Sequence, residues 1–159
     1  MKEFYPMKEL DNHDLLILQA LQKNSNLNTQ ELADQVNLSK TPCWRRVRKL
    51  EESGYIKKYV ALLDQQKLNL SVMAYVQVSM LDHDLNTLRK FDEFVELSPY
   101  ILDCNSTAGN FDYVMKVIAK DIVELENFLM RELLNLGVVQ STNTNLILRQ
   151  KKSTTQLPL

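Results

Sequence analysis

Five basic side chains lie close together in one short segment of an otherwise neutral chain. They are Lys40, Arg45, Arg46, Arg48 and Lys49. Residues 40–58 carry seven basic and two acidic side chains, a net charge of +5, whereas the whole chain of 159 residues carries −1. A basic patch on one part of a neutral protein attracts polyanions such as nucleic acid. The alternative is a solvated basic helix with no ligand.

A second group of polar side chains surrounds Gly109 in the stretch STAGNFDYV. Asp112 supplies a carboxylate and Asn110 an amide. Glycine permits a positive φ or the close approach of another backbone or a ligand. A carboxylate side chain can accept hydrogen bonds from the ammonium group of a free amino acid. Backbone N–H groups of a turn can bind the carboxylate of that amino acid. The alternative is a simple hairpin turn with an Asx interaction.

Patterns typical of catalysis or metal binding are missing from the sequence. It contains no glycine-rich phosphate loop, no Cys-x-x-Cys and no histidine pair at metal-ligand spacing. We interpret His13 and His83 as surface residues, and Cys43 and Cys104 as reduced thiols in packed positions. We therefore predict that the protein is not an enzyme, and that it has no catalytic residue, cofactor or metal site.

Helical apolar spacing before the basic segment predicts two helices. The first is expected to begin at the N-cap residue Asp11. Its predicted apolar stripe consists of Leu15, Leu18 and Leu21 with Leu16 and Ala20. The second is expected to begin at Asn28, with Glu31 completing a capping box.

The basic segment itself predicts a third helix. Ser39 is the expected N-cap, Pro42 lies in the first turn, where its missing N–H is harmless, and Gly54 ends the helix. The stretch YIKKYVALLD that follows is typical of a strand or small hairpin. The second and third helices with their tight NLS turn form a helix-turn-helix, and a hairpin would make it winged.

One face of the third helix is predicted to be free for DNA. At 100° per residue, Cys43, Val47, Leu50 and Gly54 turn inward, whereas the opposite face carries Thr41, Pro42, Arg45, Arg48, Lys49 and Glu52. We expect Thr41 and Arg45 to approach base edges and the other basic groups to contact phosphates. Trp44, at the edge of the buried face, either packs on neighbouring helices or touches DNA. The predicted DNA-binding residues are Ser39, Lys40, Thr41, Pro42, Arg45, Arg46, Arg48, Lys49, Lys57 and Lys58.

The remainder of the chain predicts a β-α-β-β-α-β order, the ferredoxin-like plan. The first strand is expected to place Val72, Ala74, Val76 and Val78 on one face, and the first helix to bury Leu85, Leu88, Phe91 and Val95 before Pro99. An Asp121/Glu124 capping box should begin the second helix. We therefore predict an α+β fold, with a winged helix-turn-helix domain at 10–64, a linker at 65–70 and a ferredoxin-like domain at 71–152.

These motifs resemble one family over essentially the whole chain, the leucine-responsive/AsnC (feast/famine) transcription regulators of bacteria and archaea. The matching stretches are LDNHDLLILQALQKNSNLNTQELADQVNLS, TPCWRRVRKLEESGYI, YVALLD, TAGNFDYVMKV and KKSTTQLPL. The resemblance implies an N-terminal domain that binds double-stranded DNA and a C-terminal domain that assembles subunits and senses amino acids. It implies homodimers, often built into octamers, with the effector bound between subunits at the glycine turn.

On that resemblance, the candidate effector-binding residues are Thr107, Gly109, Asn110, Asp112, Thr144 and Asn145. We also expect a second apolar face on the sheet, in SVMAYVQVSM and NLILRQ, to be covered by another subunit. Two alternatives stay open, an architectural DNA organiser with little sequence preference and no effector, and an amino-acid sensor that acts on protein partners. A cytoplasmic location is expected, because the sequence contains neither a secretory signal nor a membrane span.

Overall fold

The computed structural model describes residues 10–159, and its first two helices begin at capping side chains. Helix α1, Asn12–Lys23, starts after Asp11, which forms a capping box with Asp14. Helix α2, Thr29–Gln35, starts after Asn28, whose side chain accepts from the N–H groups of Gln30 and Glu31. Both predicted N-caps are confirmed, and so is the capping box of the second helix.

A tight turn follows α2 and leads into the basic helix. Asn37 adopts a φ of 54°, the left-handed region that asparagine tolerates better than most residues. Helix α3, Lys40–Glu52, has Pro42 in its first turn, and Gly54 follows its end with a φ of 76°. Ser39 occupies the N-cap position, but its side chain makes no capping hydrogen bond. The expectation of a side-chain cap from Ser39 is therefore wrong.

The three helices pack around one apolar core. Buried side chains from all three are Ile17, Leu18, Leu32, Ala33, Val36, Cys43 and Leu50. The expectation that Leu16 belongs to the buried stripe is wrong, because Leu16 is 43% exposed and the adjacent Ile17 is fully buried instead. Gly54, expected on the inward face of α3, is exposed because it lies beyond the last helical turn. The compact unit that contains these helices ends at Leu62 and also includes the C-terminal tail Lys152–Leu159.

No strand or hairpin forms in residues 54–64 of the described chain. Residues 57–64 have no regular secondary structure and are exposed. Leu62 and Leu63 in this segment have most of their surface in solvent. The expectation of a strand or hairpin is wrong for the single chain. A strand needs a neighbouring backbone to satisfy its N–H and C=O groups, and this segment has none assigned to it.

The second compact unit, Leu63–Lys151, contains a four-stranded antiparallel sheet. In chain order its elements are β1 (Val72–Met80), α4 (Leu85–Leu97), β2 (Ile101–Ser106), β3 (Tyr113–Ala119), α5 (Ile122–Asn127) and β4 (Val139–Leu146). Helix α5 continues through a π turn at Phe128–Leu133 and a 3-10 turn at Leu134–Leu136. The strands lie in the order β2-β3-β1-β4, which confirms the predicted βαββαβ plan.

The core of this unit lies between one face of the sheet and its helices. Ala74, Val76 and Val78 of β1 are fully buried, together with Phe91 of α4 and Phe128. This confirms the predicted alternation of the first strand.

The two helices of this unit agree with the sequence predictions except for one exposed residue and one capping contact. Helix α4 ends at Leu97, before Pro99, as predicted, but Leu85 is 86% exposed because it lies in the first helical turn outside the buried stripe. Asp121 accepts from the N–H of Glu124, whereas the Glu124 carboxylate accepts from the N–H of Lys120. The reciprocal half of that predicted capping box is therefore displaced by one residue.

The opposite face of the sheet is mixed in polarity. Tyr75 of β1 is 47% exposed and lies between Lys116 of β3 and Asn145 of β4. The face is thus less apolar than the sequence led us to expect. Within residues 10–159, none of the helices has both the length and the apolar composition needed to cross a membrane.

Candidate DNA-binding face and effector turn

Helix α3 exposes its basic face and buries the opposite one. Cys43 and Leu50 lie in the core, and burial raises the pKa of the Cys43 thiol. The exposed predicted residues on the helix are Lys40, Thr41, Pro42, Arg45, Arg48 and Lys49. The unpaired first N–H groups of a helix also favour anions near its start. This face can therefore offer positive charge, hydrogen-bond donors and a helix surface without loss of core packing.

Arg46 points to α1 instead of to solvent. Its Nη1 atom lies 2.6 Å from Asp11 Oδ2 and 2.7 Å from Asp14 Oδ1. Hydrogen bonds to Asp14 and then Asp11 raise the pKa of Arg46, and the Asp14 N–H followed by Arg46 lowers the pKa of Asp11. We therefore revise the assignment of Arg46 from phosphate binding to joining α3 to α1.

Trp44 is 52% exposed beside the basic face. The Arg48 guanidinium carbon lies 5.7 Å from the centroid of its ring, within the range of a cation–π contact. Trp44 also lines a cleft of about 240 Å³ with Leu21, Val47 and Tyr59. The Tyr59 hydroxyl donates to Glu51 Oε1 over 3.0 Å, and burial followed by Glu51 raises the pKa of Tyr59 to about 12. Trp44 thus packs partly against its own unit and is partly exposed beside the basic face.

The other predicted DNA-binding residues lie at the two ends of α3. The Ser39 hydroxyl makes no capping hydrogen bond, and Ser39 is exposed. Lys57 and Lys58 are exposed in the irregular segment that follows the helix.

The glycine turn in the second unit is closed by Thr107 and Asp112. The N–H of Thr107 donates to the Asp112 carbonyl over 2.8 Å, and the Thr107 hydroxyl donates to the Phe111 carbonyl over 2.6 Å. The N–H of Asp112 donates to the Val78 carbonyl over 2.9 Å. These bonds hold the turn against the end of β1.

The Asp112 side chain binds the segment that follows β1. Its Oδ2 accepts from the N–H of Met80 over 2.7 Å, and its Oδ1 lies 2.8 Å from His83 Nε2. The Met80 N–H, followed by His83, lowers the pKa of Asp112. Sequence reasoning treated His83 as a plain surface residue. Its partner is 29 residues away, so spacing carries no signal of this contact.

Gly109 does not need the backbone conformation that only glycine adopts easily. Its φ is not positive, and a Cβ atom at this position would meet nothing within 4 Å. Of the two possibilities that glycine allows here, the positive φ is not used, and the close approach of another backbone or a ligand stays a prediction. Asn110, beside it, is exposed. Within the single chain, the space around Gly109 is open.

Thr144 and Asn145 do not share one site with the turn in a single chain. Thr144 lies opposite the buried Val76, and Asn145 lies opposite the exposed Tyr75. The two side chains therefore point to opposite faces of the sheet. It is Thr142 that pairs with Val78, the residue bonded to Asp112.

A cleft of about 390 Å³ lies beside the turn, between α4 and the sheet. Its lining includes Phe91, Asp92, Glu96, Cys104, Ser106 and Tyr113. Burial, followed by Asp103, raises the pKa of the Cys104 thiol to about 11, so this cysteine is a neutral thiol and a poor nucleophile. In residues 10–159, no group of three or more His, Cys, Asp or Glu side chains is arranged to hold a metal ion.

The C-terminal tail binds α1 within the first unit, a feature that sequence reasoning missed. Gln22 Oε1 accepts from the N–H of Leu157 over 2.6 Å, and Gln22 Nε2 donates to the Leu157 carbonyl over 3.3 Å. Gln19 Nε2 donates to the Leu159 carbonyl over 2.8 Å. One glutamine thus binds both backbone groups of Leu157, much as a neighbouring strand would.

Two family models match the chain, one on each unit. A winged helix-turn-helix DNA-binding model matches residues 10–57, and an Lrp/AsnC ligand binding domain model matches residues 73–157.

Known proteins match over nearly the full length. The leucine-responsive regulatory protein of Escherichia coli is 34% identical over 152 residues, which are 96% of this chain and 93% of the relative. A transcriptional regulator from Neisseria meningitidis, solved in complex with L-Met, superposes with a TM-score of 0.92 at 34% identity, covering 94% of this chain and 97% of the other. An AsnC family transcriptional regulator from Agrobacterium tumefaciens gives a TM-score of 0.89 at 36% identity, with the same coverage.

Proposed function

Because the chain belongs to the Lrp/AsnC family of transcriptional regulators, we propose that it binds specific duplex DNA sequences and responds to a free amino acid. The observation that carries the first part is the exposed basic face of α3, opposite the buried Cys43 and Leu50. A helix of this kind in a helix-turn-helix can enter the major groove while the preceding helix crosses the backbone.

The roles on α3 follow from position and chemistry. Thr41 and Arg45 lie in the N-terminal half of the helix, where base edges come within reach, and arginine can bind guanine O6 and N7 together. Ser39, Lys40, Arg48 and Lys49, with Lys57 and Lys58 beyond the helix, supply phosphate contacts. Pro42 contributes an apolar surface near the helix start.

The amino-acid site is proposed at the turn of residues 107–112. Asp112 carries an ionised carboxylate that can bind an ammonium group directly or support a neighbouring group that does. Thr107 and Asn110 add polar groups, and the open space at Gly109 lets another backbone or a ligand approach. Thr144 and Asn145 enter this site only if a second subunit supplies them, since in one chain they point to opposite faces of the sheet.

Two relatives suggest the chemical class of the effector. The E. coli relative is named for its response to leucine, and the N. meningitidis relative was solved with L-Met. We therefore propose an apolar amino acid of similar size. We also propose a homodimer that assembles further to an octamer, with the sheet face that carries the half-exposed Tyr75 as one contact. A regulator of DNA is expected where the chromosome lies, so the proposal includes a cytoplasmic location.

The testing experiment is a footprint and affinity measurement on genomic DNA fragments, with and without each of the twenty amino acids. Specific and non-specific affinity are compared at one stated salt concentration. The proposal expects a specific site and at least one amino acid that changes affinity, footprint length or oligomer size. Coupling between ligand and DNA sites is typically about 1–3 kcal/mol, so a change of several-fold should be visible.

The result also distinguishes the two proposed activities from an architectural role. Equal affinity for all DNA sequences would support the architectural organiser instead. If the protein binds a specific site and no amino acid at millimolar concentration changes that binding, the protein is a DNA-binding regulator without an amino-acid effector. A turnover screen is unnecessary, since the relatives are transcriptional regulators.

A further inference from the structure

Two donors from one short segment hold the two oxygens of the Asp112 carboxylate separately. The N–H of Met80 donates to Oδ2 over 2.7 Å, and His83 Nε2 lies 2.8 Å from Oδ1. An ionised carboxylate only accepts hydrogen bonds, so the proton of this contact belongs to Nε2. Together the two contacts fix the rotation of the carboxylate.

The Met80 N–H helps to close the turn, whereas His83 only orients the Asp112 carboxylate. The bonds from Met80 N–H to Asp112 Oδ2, and from Asp112 N–H to the Val78 carbonyl, already hold the turn against β1. The terminal torsion of an aspartate is broad, so one donor on one oxygen leaves the other oxygen able to move. The His83 contact removes that freedom without being needed to close the turn.

His83 is itself well placed by a helix start. It immediately precedes Asp84, the N-cap of α4, whose Oδ1 accepts from the N–H groups of Asn86 and Thr87 over 2.8 and 2.9 Å. The side chain of His83 is 64% exposed and that of Asp112 is 31% exposed. A solute can therefore reach the acceptor positions of the carboxylate that His83 and Met80 leave open.

The charge around the pair suits a cation. Asp82 and Asp84 flank His83 in the chain, and the Asp112 carboxylate contacts its imidazole, so the segment is rich in acidic residues. An ammonium group that binds Asp112 is therefore attracted by the neighbouring acids as well.

We propose that His83 is a positioning residue of the effector site, orienting the Asp112 carboxylate so that its open acceptor positions receive the ammonium group of a free amino acid. This inference rests on the proposed function, because it concerns the same site. It adds a residue from outside the turn and assigns its role to one hydrogen bond.

The experiment compares full-length wild type, His83→Ala, His83→Gln and Asp112→Ala by calorimetric titration. A thermal-shift screen of the twenty amino acids on the wild type selects the titrants, with L-methionine and L-leucine tested first. His83→Ala should weaken binding of the selected amino acid about 3–10-fold, the effect of one hydrogen bond. His83→Gln keeps an N–H donor on a flexible side chain and should restore affinity to within about twofold. Arg89→Ala, an exposed change on α4, is the matched control and should bind as the wild type does.

Hydrogen exchange at residues 107–112 separates positioning from folding of the turn. The inference expects His83→Ala to leave that protection near wild type, since the backbone bonds remain. If His83→Ala binds the amino acid as wild type does while Asp112→Ala does not, the inference is overturned and the proposed function stands. Weakened binding that His83→Gln does not restore, with lost protection in the turn, assigns a structural role and also overturns it. If no amino acid binds the wild type, the effector part of the proposed function fails, and this inference fails with it.

Discussion

The guanidinium of Arg46 on α3 lies 2.7 Å from a carboxylate oxygen of Asp14 on α1, a residue that is only 2% exposed. A buried carboxylate is costly unless it is paired and hydrogen-bonded. The contact joins the basic helix α3 to the first helix of its unit, and Asp11 extends it at the N-cap. A basic residue in the middle of the proposed DNA-binding cluster therefore has a partner within the protein.

Arg46→Ala should destabilise the N-terminal unit more than it weakens any single DNA contact. The change leaves the Asp14 carboxylate buried without its cation, so we expect a loss of about 1–2 kcal/mol in the free energy of unfolding. Urea unfolding followed by circular dichroism measures it. Arg48→Ala, on the exposed face, is the matched control and should change stability by less than about 0.5 kcal/mol. Equal stability of the two variants would contradict the role given to Arg46.

Arg45 and Lys49 should affect DNA binding in different ways. Arg45→Ala should cost about 1–3 kcal/mol at the specific site and relax the preference at one base position. Lys49→Ala should weaken binding to all sequences about equally and reduce the slope of log affinity against log salt by about one. Fluorescence anisotropy over a salt series measures both. Arg89→Ala, in the second unit, is the control and should bind DNA as the wild type does. If Arg45→Ala and Lys49→Ala also bind with wild-type affinity and footprint, the assigned face of α3 is wrong.

The sequence predicted the helix ends and the strand faces, because these depend on residues close together in the chain. The caps at Asp11 and Asn28 and the end of α4 before Pro99 all follow from side chains within a few positions. The alternation in β1 predicted its buried face, because a strand has a period of two residues. The same period indicates that the adjacent Thr144 and Asn145 point to opposite faces, and the sequence alone was sufficient for that conclusion.

Contacts between distant parts of the chain were not predictable from spacing. Arg46 is one of several similar cations, and nothing local indicates that its partners are Asp11 and Asp14, 35 and 32 residues away. The same holds for His83 and Asp112. The hairpin expected after Gly54 failed for another reason, since β-type residues specify a strand only where a second backbone is available to pair with.

Acid should weaken the attachment of the glycine turn to β1. The pKa of Asp112 is lowered from its ordinary value of 3.8 by the Met80 N–H and then by His83. A carboxyl with a lower pKa in the folded state stabilises the fold fully above 3.8, and this contribution is lost as pH falls below 3.8 through the folded value. The stability difference between wild type and Asp112→Asn should therefore be constant from pH 6 to about 5 and should shrink below 4. Thermal unfolding across that range measures it, and a difference that grows on acidification would contradict the assignment.

Removing residues 154–159 should loosen α1 in the N-terminal unit. The tail supplies the Leu157 and Leu159 backbone groups that Gln22 and Gln19 bind, and removing them exposes these glutamines to water. Hydrogen bonds of this exposed kind contribute about 0.5–1.5 kcal/mol each at most, so we expect a loss of about 1 kcal/mol and faster hydrogen exchange in α1. Gln22→Ala should give a smaller effect in the same direction. Gln30→Ala, which removes a surface contact with Asp34 on α2, is the matched control and should leave α1 unchanged. Identical hydrogen-exchange rates in α1 with and without the tail would show that the tail does not stabilise the unit. In that case, hydrogen bonds to water would replace the lost bonds to the tail at no net free-energy cost.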